Sequence, residues 1–203
     1  MQNTQVSKRK TLLLAFGMCM FTALVYEVIW TRNLNLVFGT SIYAFSAVLS
    51  SFMMGLALGA YYFGKKSDKA NGLLKVLARL QFALGIYAIL LIGLFKVISY
   101  PYFMIFDLFG NSLALNVSMF LLAFIILFVP TAIIGATFPI VSKIYIRKIG
   151  QDVSTIYGID TIFSGFGALF AGFVCLPYFG LMQTTFFMAA INITLGIIFI
   201  KLK

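Results

Sequence analysis

The chain has 203 residues, of which 62% are hydrophobic and only 10% are charged, whereas charged residues make up about 25% of a typical soluble domain. This composition excludes a water-soluble globular protein and indicates a membrane protein. The net charge of +10 comes from lysines and arginines between apolar runs, which is typical of a topology signal rather than of nucleic-acid binding.

The apolar runs predict an all-α, polytopic membrane protein. Crossing ~30 Å of hydrocarbon takes about 20 helical residues, and the chain offers six such runs in a single domain. The first run has no small-residue cleavage site after it, so we interpret it as a retained span rather than a signal peptide. The six predicted transmembrane helices cover about residues 11–32, 42–64, 73–98, 112–145, 155–176 and 182–200.

Turn and cap residues separate these spans. Ser41 after Gly39-Thr is a helix cap for the second span, and Ser154 is one for the fifth. Residues 101–111, which begin at Pro101, are too short to cross and predict an amphipathic piece at the membrane interface. The fourth span is too long for one straight helix, so Pro130 and Pro139 should kink it or break it. A turn at residues 177–180 divides the last two spans.

The positive charges agree with six spans. Of the fifteen lysines and arginines, all but Arg32 and Lys96 fall on one side of the predicted membrane. An excess of positive charge marks the cytoplasmic side. We therefore expect both termini in the cytoplasm.

Small residues four positions apart occur in two spans. Gly55 and Gly59 precede Gly64 in the second span, and Ala168 and Gly172 follow Ser164 in the fifth. Such stripes let helix backbones approach closely in lipid. They predict packing within the chain or, as an alternative, a dimer interface.

Three charged residues inside or beside the spans are candidates for function: Glu27, Arg32 and Asp160. A carboxylate in hydrocarbon is costly, so Glu27 is either a contact between helices or a site for a cation or proton. Glu27 and Arg32 are five residues apart, about 140° around a helix, which predicts different partners for them or an Arg32 that reaches the membrane surface. Asp160 is either stabilised by the helix dipole near an N-terminus or part of a polar pathway.

Three stretches resemble the membrane region of bacterial fused major-facilitator/spermidine-synthase-like proteins. They are "ALVYEVIWTRNLNLVFGTSIYAFSAVLSSFMMGLALGAYYFGKKSD", "PTAIIGATFP" and "YGIDTIFSGFGALFAGFVCLPYFGL". The resemblance implies a bacterial inner-membrane location and a polyamine or other cation as solute. Tyr26, Glu27, Trp30 and Arg32 are its most specific part, although the family pattern does not give the role of Glu27. Together with Asp160, which is chosen for its charge within a span, these residues are our predicted substrate or ion site. Many relatives carry a soluble aminopropyltransferase-like domain after the membrane region, and this chain stops at Lys203 without it, so we expect no enzymatic activity. The family usually has Asn at position 160.

The chain is also similar to one half of a major facilitator transporter, whose halves have six spans. The loop from Gly64 to Gly72 resembles the loop motif of that superfamily. By this resemblance Gly64, Asp68 and Lys69 form a gating loop.

These features predict a small-solute transporter that works as a homodimer of six-helix halves, with the lipid bilayer as its environment. We expect no cofactor, no metal site and no nucleic-acid partner. An alternative is a membrane anchor or sensor for a soluble spermidine-synthase-like partner, and a third is a structural subunit of a larger complex.

Overall fold

A computed structural model describes residues 2–67, 71–110 and 112–202, with side chains from Ser7 onward. All secondary structure in these ranges is helical, and five segments are long and apolar enough to cross a membrane. The predicted all-α membrane bundle is confirmed at this level. The helices are α1 (Gln2–Phe38), α2 (Ile42–Ser67), α3 (Leu73–Val97), α4 (Ser99–Phe109), α5 (Leu113–Tyr145), α6 (Ile149–Phe170), a π-helical turn (Ala171–Cys175) and α7 (Leu176–Lys201).

The turn between α1 and α2 forms as predicted. Gly39 has a φ of +86°, a conformation that costs glycine little. The Ser41 hydroxyl accepts a hydrogen bond from the Ala44 N–H at 3.1 Å, which satisfies one of the free donors at the start of a helix.

The predicted cap at Ser154 is wrong, because α6 already begins at Ile149. The capping carboxylate belongs to Asp152 instead, whose Oδ2 accepts the N–H groups of Arg147 at 2.7 Å and Lys148 at 2.9 Å. These donors, that of Lys148 most strongly, hold the pKa of Asp152 in this polar loop below its usual value. Asp152 is therefore ionised at neutral pH.

Helix α5 continues through both of its prolines, so a break after Pro139 is not observed. Pro130 has no N–H, which removes the helical partner of the Ile126 carbonyl. The Tyr87 hydroxyl of α3 donates to that carbonyl at 3.3 Å. A neighbouring helix thus satisfies the freed backbone group, as apolar surroundings require.

The chain reverses direction at Gly180, inside the segment named α7. Gly180 has φ 72° and ψ 179°, which is not helical. The Thr184 hydroxyl lies 3.3 Å from the Cys175 carbonyl oxygen, whereas nine residues of continuous helix would separate them by about 13 Å. The predicted turn is therefore confirmed, with Gly180 rather than Pro177 as its break.

Helices α2 and α5 cross at very short distance through glycines. A Cβ atom at Gly59 would overlap the Ala132 carbonyl, and one at Gly135 would overlap the Leu56 carbonyl. Gly55 is buried in the same contact. The stripe on α2 therefore serves packing within the chain, one of its two predicted roles.

The contacts also fix the relative directions of the helices. Gly17 lies against Phe163, and Phe21 lies against Gly167 one turn further along each helix, so α1 and α6 run parallel. In the same way α2 and α5 run parallel. Helix α3 runs antiparallel to α7, because Gly85 contacts Ala189 while the earlier Phe82 contacts the later Gly196.

One end of the bundle gathers the start of α1, the ends of α2 and α5, and the start of α6. The Lys143 ammonium donates to the Ser67 carbonyl at 2.7 Å. The Arg9 guanidinium binds Asp152 at 2.6 Å and the Tyr145 carbonyl at 3.3 Å, and it lies 4.1 Å from the centre of the Tyr145 ring. Arg9 thus connects three helices through side chains that sequence reasoning did not single out.

Replacing Arg9 with Gln is expected to lower the free energy of unfolding only slightly, because solvent screens the attraction of this partly exposed pair. Asp152→Asn should cost more, since it also weakens the two backbone hydrogen bonds at the start of α6. Thermal unfolding of both variants and of the double variant in detergent measures these losses and their coupling. Strictly additive losses would show that the two side chains do not interact.

Candidate functional site

A cleft of about 1000 Å³ lies within the apolar part of the bundle. It lies between α1, the beginning of α2, the π-helical turn and the loop that reverses the chain at Gly180. Most of its wall is apolar. Four of its polar lining residues belong to α1, and a fifth follows Gly39 in the turn between α1 and α2. They are Glu27, Thr31, Arg32 and Asn35 on α1, and Thr40 in the turn.

Glu27 and Arg32 line this same cleft. The different partners predicted for them are not seen among the described residues, and an Arg32 that reaches the membrane surface stays a prediction. The two side chains start about 140° apart around the axis of α1, and the cleft contacts both. Within the described ranges, neither side chain forms an ion pair or hydrogen bond with another residue. Glu27 is half-buried and Arg32 is exposed. The cleft therefore presents an acid and a base that are both available to a solute.

Asn35 is a site residue that sequence reasoning missed. It lines the cleft two turns beyond Glu27, and its side-chain oxygen Oδ1 is buried without a hydrogen-bond donor in the part of the chain that the structure describes. A buried acceptor without a donor costs free energy. Asn35 comes eight residues after Glu27, which places the two residues only about 80° apart around the helix. This spacing was the signal in the sequence that they could share a site.

Tyr26 and Trp30 lie on the other side of α1, away from the cleft. Both are fully buried, and their rings stack at 4.9 Å. The Tyr26 hydroxyl accepts a hydrogen bond at 3.1 Å from the Asn192 amide, whose oxygen accepts one from Thr22 at 3.1 Å. Of the residues predicted to form one site, these two pack α1 against its neighbours instead of lining the cleft with Glu27 and Arg32.

Asp160 also lies outside the cleft. It stands eleven residues after Ile149, three turns into α6, and the helix dipole acts mainly within the first turn. The dipole therefore does not explain its charge. Ser164 donates to the Asp160 carboxylate at 3.3 Å. Of the small residues around it, Gly167 packs against Phe21, whereas Ala168 and Gly172 line the cleft.

The structure describes both ends of the predicted gating loop, up to Ser67 and from Asn71 onward, but not the residues between them. Gly64 lies at the end of α2, where an added Cβ would make ordinary contact with Pro139. Asp68 and Lys69 lie outside the described residues. Their role as a gate stays a prediction.

Comparison with known protein families, with curated proteins and with solved structures finds no match for this chain. The chemistry of the cleft therefore rests on its own residues. A half-buried carboxylate and a buried amide oxygen both accept hydrogen bonds. They suit a solute that carries several N–H donors and a positive charge.

Proposed function

We propose that this protein carries small cationic solutes of the polyamine class across a membrane, with Glu27 as the central charged group. The observation that carries the proposal is the unpaired Glu27 carboxylate in a cleft that also holds the unpartnered oxygen of Asn35. Ammonium groups pair with a carboxylate and donate to an amide oxygen. A bound amine would satisfy both groups at once.

The spacing of the two acceptors favours an elongated solute. Eight residues of helix separate Glu27 from Asn35, which is about 12 Å along the axis. An extended polyamine carries amines at separations of this order, joined by methylene segments that suit the apolar wall.

We infer six membrane crossings and a half-major-facilitator arrangement. The last apolar segment, residues 149–201, would be about 80 Å long as one helix, far more than the ~30 Å of hydrocarbon, and it reverses at Gly180. Six long helical segments that alternate in direction account for the parallel and antiparallel contacts above. The Arg9 end then faces the bacterial cytoplasm, because most positive charges belong to that side.

The cleft also supports a homodimer. It opens on the outside of the six-helix unit, so a monomer would expose the Glu27 carboxylate towards lipid at considerable cost. A second copy that covers the opening would enclose the solute and supply the second half against which a carrier moves.

Cross-linking tests this dimer. Phe45 is exposed and lines the cleft, whereas Leu121 is exposed on α5 away from it. A Phe45→Cys variant in native membranes should form dimers with a short bifunctional thiol reagent, and Leu121→Cys should stay monomeric. Monomers alone from both variants, with thiol labelling shown to be complete, would refute the dimer.

One observation favours the anchor as the second candidate. The end of the bundle that Arg9 ties together carries exposed cations at the close of α2 and between α5 and α6: Lys65, Lys66, Arg147 and Lys148. A soluble partner with an acidic surface would dock there. Substituting these cations with Gln would then release the partner and leave amine binding in the cleft unchanged.

Thermal stability in detergent tests the proposed solute class. A ligand that binds only the folded protein raises the melting temperature in a concentration-dependent way. Spermidine should do so, putrescine should do so less because it is too short to reach both acceptors, and neutral solutes of similar length should have no effect. If basic amino acids or simple ions stabilised the protein and polyamines did not, the proposed solute class would be wrong.

A further inference from the structure

A second cavity of about 410 Å³ lies on the opposite side of α1, between α1, α3, the start of α4 and α7. Leu36 and Leu181 line both this cavity and the Glu27 cleft. Most of its wall is aliphatic or aromatic, from residues such as Ile92 and Phe95. It is a separate compartment next to the proposed carrier site.

The polar lining of this cavity contains donors and one amide, Asn33, whose N–H donates to the Ile29 carbonyl at 3.0 Å and whose oxygen is an acceptor. Trp30 lines it, and its indole Nε1–H is buried without an acceptor in the described part of the chain. Lys96, which is exposed, and Ser99 line the same cavity. The Thr185 hydroxyl is already used, since it donates to the Leu181 carbonyl at 2.8 Å. The unpartnered indole N–H and the neighbouring lysine therefore suit an anionic occupant.

The cavity lies near the end of the bundle opposite Arg9. Trp30 comes eight residues before the last residue of α1, about 12 Å along the axis, and Lys96 is in the last turn of α3. Tryptophan and lysine at helix ends are typical of the region where lipid headgroups meet hydrocarbon. Lys96 and Arg32 are the two cations on this side of the predicted topology.

We propose that this cavity binds the phosphate of an anionic phospholipid from the leaflet on the Lys96 side, with an acyl chain along its apolar wall. The indole N–H and the ammonium donate to the phosphate oxygens. This site goes beyond the proposed transport function and does not depend on it. A free phosphate would satisfy the same donors but would leave the apolar wall uncovered, so the experiment includes it as a separate arm.

Trp30 is the only tryptophan of the chain, so its fluorescence reports on this cavity directly. The protein is reconstituted in mixtures with phosphatidylglycerol or phosphatidylcholine whose acyl chains are brominated and quench tryptophan on contact. Brominated phosphatidylglycerol should quench Trp30 with about a fivefold preference over phosphatidylcholine, the factor expected for one lysine at the membrane surface. Lys96→Gln should remove this preference, and Lys65→Gln at the other end should keep it.

A second readout separates the indole N–H from general packing. Trp30→Phe keeps an aromatic ring but lacks the donor, and native mass spectrometry should show fewer retained phosphatidylglycerol molecules on it than on the wild type. Relief of quenching by millimolar inorganic phosphate would assign the site to free phosphate and overturn the lipid. Equal quenching by both lipids, unchanged in Lys96→Gln, would overturn the site itself.

Discussion

Glu27→Gln is expected to weaken polyamine binding at least about 30-fold. Truncating one partner of a desolvated charge pair costs about 2 kcal/mol or more, and glutamine keeps the size of the side chain while it removes the charge. Equilibrium dialysis with labelled spermidine measures the loss. Glu27→Asp should be intermediate, because it keeps the charge but withdraws it by one methylene.

The same variant should fold as well as the wild type. Replacing an unpaired carboxylate with a neutral amide in apolar surroundings is neutral or stabilising, so lost binding would not reflect lost structure. Asp107→Asn is the matched control. Asp107 is exposed on α4, outside the cleft, and its substitution should leave spermidine binding unchanged. An unchanged affinity in Glu27→Gln would remove Glu27 from the site.

Gly59→Ala is expected to lower the free energy of unfolding by about 2–3 kcal/mol, the upper part of the range for overpacking. The added methyl would overlap the backbone carbonyl of Ala132, and a backbone atom of a packed helix has little room to move. Helices α2 and α5 would have to separate along the whole crossing. Thermal or denaturant unfolding in detergent measures the loss.

Gly93→Ala is the control for this prediction. Gly93 lies inside α3 with open space around it, and alanine in place of glycine within a helix stabilises by about 0.5–1 kcal/mol. The two substitutions add the same methyl group and should change stability in opposite directions. If both variants were stabilised, the close crossing of α2 and α5 would be refuted.

Much of the helical organisation follows from the sequence. Apolar runs of about 20 residues must form helices in lipid, because every backbone polar group there needs an internal partner. The cap at Ser41 and the turn at Gly180 follow from local chemistry in the same way. The capping of α6 could not be predicted in this way. Asp152 accepts hydrogen bonds from the N–H groups of Arg147 and Lys148, which precede it in the chain, and in the sequence this segment looks like an ordinary polar loop.

The site was less predictable than the fold. Glu27 stands out because a carboxylate in an apolar run is costly, but its companions depend on which helix packs on which face of α1. Tyr26 and Trp30 are close to Glu27 in the sequence and turn away from it, whereas Asn35, eight residues further along the same helix, shares its cleft. The unpaired atoms of Asn35 and Trp30 are properties of the packed bundle and leave no mark in the sequence.

Uptake of labelled spermidine into proteoliposomes that contain the wild-type protein or Glu27→Gln tests the proposed transport most directly. We expect saturable uptake by the wild type above that of empty liposomes, and loss of this uptake in Glu27→Gln with equal amounts of folded protein. Uptake that is the same with and without the Glu27 carboxylate would contradict a carrier site in this cleft. Spermidine binding without any uptake would contradict transport and favour the anchor or sensor.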